Sequence, residues 1–190
     1  MARYKKGFTL IEMMIVLGIF VLITTLLLSN QKKFGTNIEV TNLAYDVALS
    51  IRQTQTYGLA VKNSGLASAD FTSAYGIHFD SSTPSQYIIF FDRLDPNSGT
   101  RNYVMDSGEE SEIYTLRNGF TISDLCAGTC GLQKMDVVFV RPNPEAHITY
   151  TNGGQTFSAT DVYLKVKSPQ GKIKWIRVLK SGQISVEDNQ

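Results

Sequence analysis

The chain has 190 residues, 43% hydrophobic and 18% charged, with a formal net charge of +1. That length accommodates one modest globular domain and one further segment. The balanced charge excludes the polyelectrolyte character by which net charge alone would imply a nucleic-acid partner.

Met1 to Gly7 is short and basic, with Arg3, Lys5 and Lys6. Phe8 to Ser29 follows as a nearly uninterrupted apolar run of 22 residues. As helix it spans roughly 33 Å at about 1.5 Å per residue, enough to cross a bilayer core. A secretory signal peptide has a shorter apolar core and a small-x-small cleavage site, and neither feature is present. A plain anchor leaves Glu12 unexplained. An acid at the centre of a span costs about 2.5–3.5 kcal/mol on insertion scales, and somewhat less near an end. Such a residue calls for a partner.

The residues Gly7-Phe8-Thr9-Leu10-Ile11-Glu12, behind their basic leader, resemble the class III signal of type IV prepilins and pseudopilins. The resemblance implies cleavage between Gly7 and Phe8 by a membrane prepilin peptidase, which then methylates the new N-terminus of Phe8. It also implies an assembly role for Phe8 and Glu12. Cleavage creates an ammonium at Phe8, and Glu12 of one subunit meets the Phe8 ammonium of its neighbour. Two isolated charges in hydrocarbon are thereby replaced by one hydrogen-bonded pair. Loss of the leader removes three cations and leaves 15 basic against 17 acidic side chains, a charge of −2. Many pilins carry a helix-kinking Pro where this chain has Ser29.

The helix is expected to continue past the membrane. No Pro occurs from Asn30 to Gly58, and Val40, Ala44, Val47, Ile51, Thr54 and Gly58 recur at three- and four-residue steps. This is an amphipathic stripe that docks on a globular domain, widened by Leu43 and Ala48, with Gly58 as its expected end. The expected organisation is a leader at 1–7, a membrane and filament-core helix at 8–29, its amphipathic continuation at 30–58, and a β-rich domain at 59–190.

Strand-like runs then appear at Tyr75–Phe79, Gln86–Phe91, Glu112–Leu116, Phe120–Leu125, Asp136–Val140, His147–Thr151, Val162–Lys167, Lys172–Val178 and Gln183–Val186. Turn signals separate them at Asn63-Ser64-Gly65, Asn97-Ser98-Gly99, Asn152-Gly153-Gly154 and Ser168-Pro169-Gln170-Gly171. The expected fold class is α+β: one long N-terminal helix, transmembrane in its first half, packed on antiparallel sheet in the manner of a pilin. Three segments resemble H-type pseudopilins of type II secretion and their FimT-like minor-pilin relatives. These are Leu43–Arg52 running on to Tyr57–Val61, the loop from Phe90-Phe91-Asp92 to Gly108-Glu109-Glu110, and the ending Trp175–Ile184.

Cys126 and Cys130 lie in CAGTC, while His78 and His147 stand isolated. A zinc site needs about four ligands and a C-x-x-C redox motif has two intervening residues, so no metal and no cofactor are expected. A disulfide closing a small loop is expected if the domain lies outside the cytoplasm. Asp92, Asp95, Asn97, Asp106, Glu109 and Glu110 offer oxygen ligands for calcium, but without a strict spacing. A solvated turn with Asx-type bonds is the expectation there.

Lys165, Lys167, Lys172 and Lys174 pair off on strand faces and could contact DNA phosphates; a solvated edge is the commoner use of such lysines. No nucleophile elbow, phosphate loop or spaced metal motif marks an enzyme. The expectation is therefore a minor pilin or pseudopilin, with a DNA-binding minor pilin or a major pilin as alternatives. Its implied partners are prepilin peptidase, other pilin subunits, an inner-membrane assembly platform and membrane lipid. Its implied place is a single pass of the inner membrane with the domain outside the cytoplasm, and then a periplasmic or surface filament.

Overall fold

The computed structural model describes residues 7–60, 74–95 and 98–189, with side chains at 29–36 set aside. One helix, α1, runs Leu10–Leu59, a length of 50 residues. Two compact units divide the chain, Met1–Ile38 and Glu39–Gln190. The first contains the stretch Leu10–Leu28, which is long and apolar enough to cross a membrane and has none of its residues buried. Helix continuity through Ser29 agrees with the absence of Pro there, because Pro is the commonest cause of a sharp kink.

Among the described residues, the second unit holds the rest of α1 and eleven strands: β1 (Ala74–Asp80), β2 (Gln86–Asp92), β3 (Glu110–Thr115), β4 (Thr121–Ala127), β5 (Thr129–Cys130), β6 (Lys134–Phe139), β7 (Ala146–Asn152), β8 (Gln155–Ala159), β9 (Asp161–Lys167), β10 (Ile173–Leu179) and β11 (Ile184–Glu187). They form two sheets, one in the order β3-β2-β1-β6-β7-β8 and the other β11-β10-β9-β4-β5. All the pairings are antiparallel.

Alternation along each strand decides which side chains face the core. On the six-stranded sheet Ile77 is paired with both Ile89 and Val137, and all three are buried. They share one hydrophobic cluster with Leu164, Val166, Ile176 and Val178 of the five-stranded sheet. Val40, Ala44, Val47, Ala48 and Ile51 of α1 complete it. Thr54 and Gly58 are buried on the same helix face, so every position of the sequence stripe points inward. Polar bonds fix the docking. The Ser50 hydroxyl bonds the Tyr87 hydroxyl at 2.8 Å, and Arg52 donates to the Ile184 carbonyl at 3.3 Å. Gln55 donates to the Pro144 and Gly182 carbonyls, each at 3.2 Å.

Three details differ from the sequence expectation. Two strands, β5 and β8, were not expected. β8 lacks the apolar alternation of a half-buried strand and is exposed at Gln155, Thr156, Phe157 and Ser158, as an edge strand can be. Its cue is the turn, since Gly153 and Gly154 take φ of 59° and 78° and link Asn152 to its partner Gln155. Both positions of a two-residue turn of this kind need positive φ. The turn signal at Asn63-Ser64-Gly65 lies outside the described residues, as does Asn97 of the next one.

The third difference is Gly58, which does not end α1. The helix runs to Leu59, and a Cβ on Gly58 would lie 2.5 Å from the Phe139 carbonyl oxygen. Glycine is needed there for close approach of helix to strand, not for a left-handed cap. The Gly58→Ala substitution separates the two roles. Propensity alone favours alanine by about 1 kcal/mol, whereas overpacking costs about 1–3 kcal/mol. Denaturant unfolding of the variant is expected to show a net loss of stability; unchanged or greater stability would contradict the packing role.

Candidate functional site

The chemistry-bearing segment begins outside the helix. Gly7, Phe8 and Thr9 are non-helical and exposed, and Phe8 is 80% exposed. The Thr9 carbonyl accepts the first intrahelical bond, from the Met13 amide at 3.2 Å. The Thr9 hydroxyl accepts a bond from the Glu12 amide at 3.3 Å. These two bonds define Thr9 as the N-cap and Glu12 as the third helical residue. The carboxylate of Glu12 therefore stands in the first turn, the end of the helix where the backbone dipole favours negative charge. Among the described residues no cation pairs with it.

The remaining polar groups of the span are satisfied locally. Thr24 donates to the Phe20 carbonyl at 2.7 Å and Thr25 to the Val21 carbonyl at 2.8 Å. Hydroxyls bonded this way can sit in hydrocarbon without an outside partner. Glu12 is thus the single charged side chain within Leu10–Leu28, surrounded by apolar side chains that are all open to their surroundings.

The acidic loop between β2 and β3 is not a solvated turn throughout. Asp92 is fully buried on the face of the six-stranded sheet away from α1, and neither carboxylate oxygen accepts a hydrogen bond of regular geometry. Burial pushes its pKa up to about 7. Arg101 opposes the shift, Glu109 and Asp106 reinforce it, and the Tyr103 amide opposes it. Glu109 is also buried, accepting from the Arg93 amide at 3.0 Å and the Asp106 amide at 3.1 Å. Elsewhere the loop does use Asx-type bonding, as where the Asn102 side chain accepts from the Val104 amide at 3.2 Å.

The loop is stitched to the sheet. Tyr103 stacks on His147 at 4.2 Å and its carbonyl accepts from Thr149 at 2.7 Å. The Met105 amide reaches Asp136 at 3.4 Å, and Asp136 bonds the ring of buried His78 at 2.7 Å. Glu110 accepts from the Gly108 amide at 2.9 Å and Asp106 from Asn102 at 2.8 Å. These carboxylates hold the loop in place instead of converging on one point. Among the described residues, the His, Cys, Asp and Glu donors that do converge, within 4.8 Å, are Asp124, Cys126 and Cys130. Two of those are joined to each other, since Cys126 and Cys130 form a disulfide. The bond ties β5 to β4, where the two cysteines are register partners.

The four lysines are not gathered on one surface. Trp175 is the register partner of Lys165, and Lys174 that of buried Val166. Lys165 and Lys167 thus face away from the core with Trp175, the Lys165 ammonium lying 5.2 Å from the indole centroid. Lys174 faces the other way and pairs with the Asp188 carboxylate. Lys172 lies in the hairpin ahead of β10 and is exposed.

A family model described as the prokaryotic N-terminal methylation motif matches residues 2–28. No curated protein matches the chain, and no solved structure matches it either. The motif, with the apolar helix and the sheets behind it, supports a type IV pilin-like protein with a class III prepilin signal. Within that class the motif supports a pilin- or pseudopilin-type subunit. Such a signal implies processing by prepilin peptidase and assembly with other pilins, and the apolar helix fits membrane anchoring.

Asp92 gives the domain a pH dependence. Its folded pKa is raised, so the stability tied to its neutral form is complete below the unfolded value near 4 and is lost as pH rises towards 7. The slope reaches at most about 1.4 kcal/mol per pH unit in that window. Asp92→Asn holds the side chain neutral. Urea unfolding at intervals between pH 4 and 8 is expected to show the variant gaining on the parent with rising pH; parallel curves would contradict the burial argument.

Proposed function

We propose that this protein is a minor pilin or pseudopilin of a type IV pilus-like or type II secretion filament. It is cleaved between Gly7 and Phe8, methylated at Phe8, and locked into the filament by a contact between the Phe8 ammonium of one subunit and Glu12 of the next. The observation that carries the reading is a lone carboxylate, Glu12, in the first turn of an exposed apolar helix, directly behind a Gly-Phe junction. Before assembly, lipid is the surrounding of that helix, and the carboxylate lies near one end of the span where insertion is tolerable. In a filament of parallel helices, apolar neighbours replace lipid. The carboxylate then requires a cation at its own depth, and the N-terminus of a subunit offset along the filament supplies one.

The β-rich domain at 59–190, borne on the amphipathic part of the helix from 30 to 58, is the part such a filament displays. The loop and terminal hairpin that resemble H-type pseudopilins and FimT-like minor pilins favour a minor subunit. A DNA-binding surface formed by Lys165, Lys167, Lys172 and Lys174 has less support, because the paired strands turn Lys165 and Lys174 to opposite faces.

Replacement of the charge tests the reading. Glu12→Ala is expected to insert in the membrane and to be cleaved like the parent, while its recovery in sheared or purified filaments falls by at least about tenfold. Incorporation at the parental level would contradict the role given to Glu12.

A further inference from the structure

The bond that a peptidase must cut lies two residues ahead of a helix, and the helix stop is set by one side chain. Helix N-termini leave four amides without intrahelical partners. In water this is a mild problem, but at the edge of hydrocarbon there is little solvent to compensate. Here the Thr9 hydroxyl accepts from the Glu12 amide at 3.3 Å, and the Thr9 carbonyl takes the first helical bond. A residue that caps in this way adopts non-helical backbone itself, so the two residues ahead of it are released from the helix.

Gly7 and Phe8 fall in that released stretch. A Cβ placed on Gly7 would meet nothing within 4 Å, and Phe8 is 80% exposed. The Gly7–Phe8 peptide is therefore presented outside the helix and accessible from several sides. Were the helix to start one turn earlier, the Gly7 carbonyl would become a helical acceptor, and the scissile bond would be wound into the first turn. An enzyme would have to unwind that turn before cutting.

We infer that Thr9 is a positioning residue for processing: its N-cap sets where α1 begins and holds the Gly7–Phe8 bond in the non-helical state that the prepilin peptidase can bind. Thr9 does not touch the reacting carbonyl in this role; it acts through the backbone of the two residues before it. The inference rests on the cleavage position given above.

The test is a substitution series at position 9 in the full-length chain, co-expressed with a prepilin peptidase. Conversion is followed by pulse-chase in the membrane fraction, and mass spectrometry identifies the new N-terminus. Capping strength and side-chain shape predict opposite orders. If the cap matters, Thr9→Ser and Thr9→Asn process at near the parental rate, Thr9→Ala and Thr9→Val at least about fivefold more slowly, and Thr9→Gly faster than Thr9→Ala. Glycine has no side chain for the enzyme to contact, so its advantage over alanine reports on backbone alone.

Thr9→Val processed as fast as the parent, or Thr9→Asn and Thr9→Gly as slow as Thr9→Ala, would overturn the inference while leaving the cleavage site intact. Parental chain cut at some other bond would remove the cleavage position itself, and the role of Thr9 with it.

Discussion

Helix α1 must satisfy two solvents on one backbone. From Leu10 to Leu28 its side chains, apart from Glu12, Thr24 and Thr25, are apolar on all sides and none is buried, which is the pattern of a helix that meets lipid or other helices all round. From Val40 onward the apolar positions narrow to one stripe, and that stripe is buried among the two sheets. The rest of the domain is arranged to receive it. Gly58 thins the helix where it crosses Phe139, and Ser50, Arg52 and Gln55 reach strands and turns at several points around it. The β-rich unit therefore shares its core with the part of α1 from Val40 onward.

The first turn of the same helix concentrates the chemistry. Thr9 caps the start of the helix, Glu12 carries the only charge of the span, and in the proposed reading Phe8 supplies a cation once the chain is cut. Each depends on its neighbour in sequence. The cap places Glu12 at the helix terminus where a carboxylate is tolerated, and the proposed cut would create the opposite charge at Phe8. On the proposed reading, a charge that is an obstacle in a single subunit becomes a register mark between two, because a paired carboxylate in hydrocarbon is far less unfavourable than an isolated one.

Much of this organisation is legible in the residues. The six-position stripe from Val40 to Gly58 is a direct consequence of helical periodicity, and strands with apolar alternation such as β9 announce themselves. Where reading fails, the reason is tertiary. Asp92 follows Phe90-Phe91 and opens a polar stretch, so nothing local shows that the loop folds back and buries it. β8 has no apolar face because an edge strand does not need one. Lys165 and Lys167 share one face of β9 as expected, but only the antiparallel register reveals that Lys165 and Lys174 look opposite ways. The Thr9–Glu12 spacing is itself a capping signature, masked by its overlap with a processing signal.

The central claim is a contact between subunits, Phe8 ammonium to Glu12 carboxylate, and it is best measured in the filament. Mixed filaments assembled from subunits carrying nitrogen-15 at the Phe8 amine and others carrying carbon-13 at the Glu12 carboxyl report only contacts between chains. Solid-state dipolar recoupling is expected to place the two nuclei within about 4 Å, the range of an ion pair. No coupling between the labels in well-ordered filaments would contradict the account.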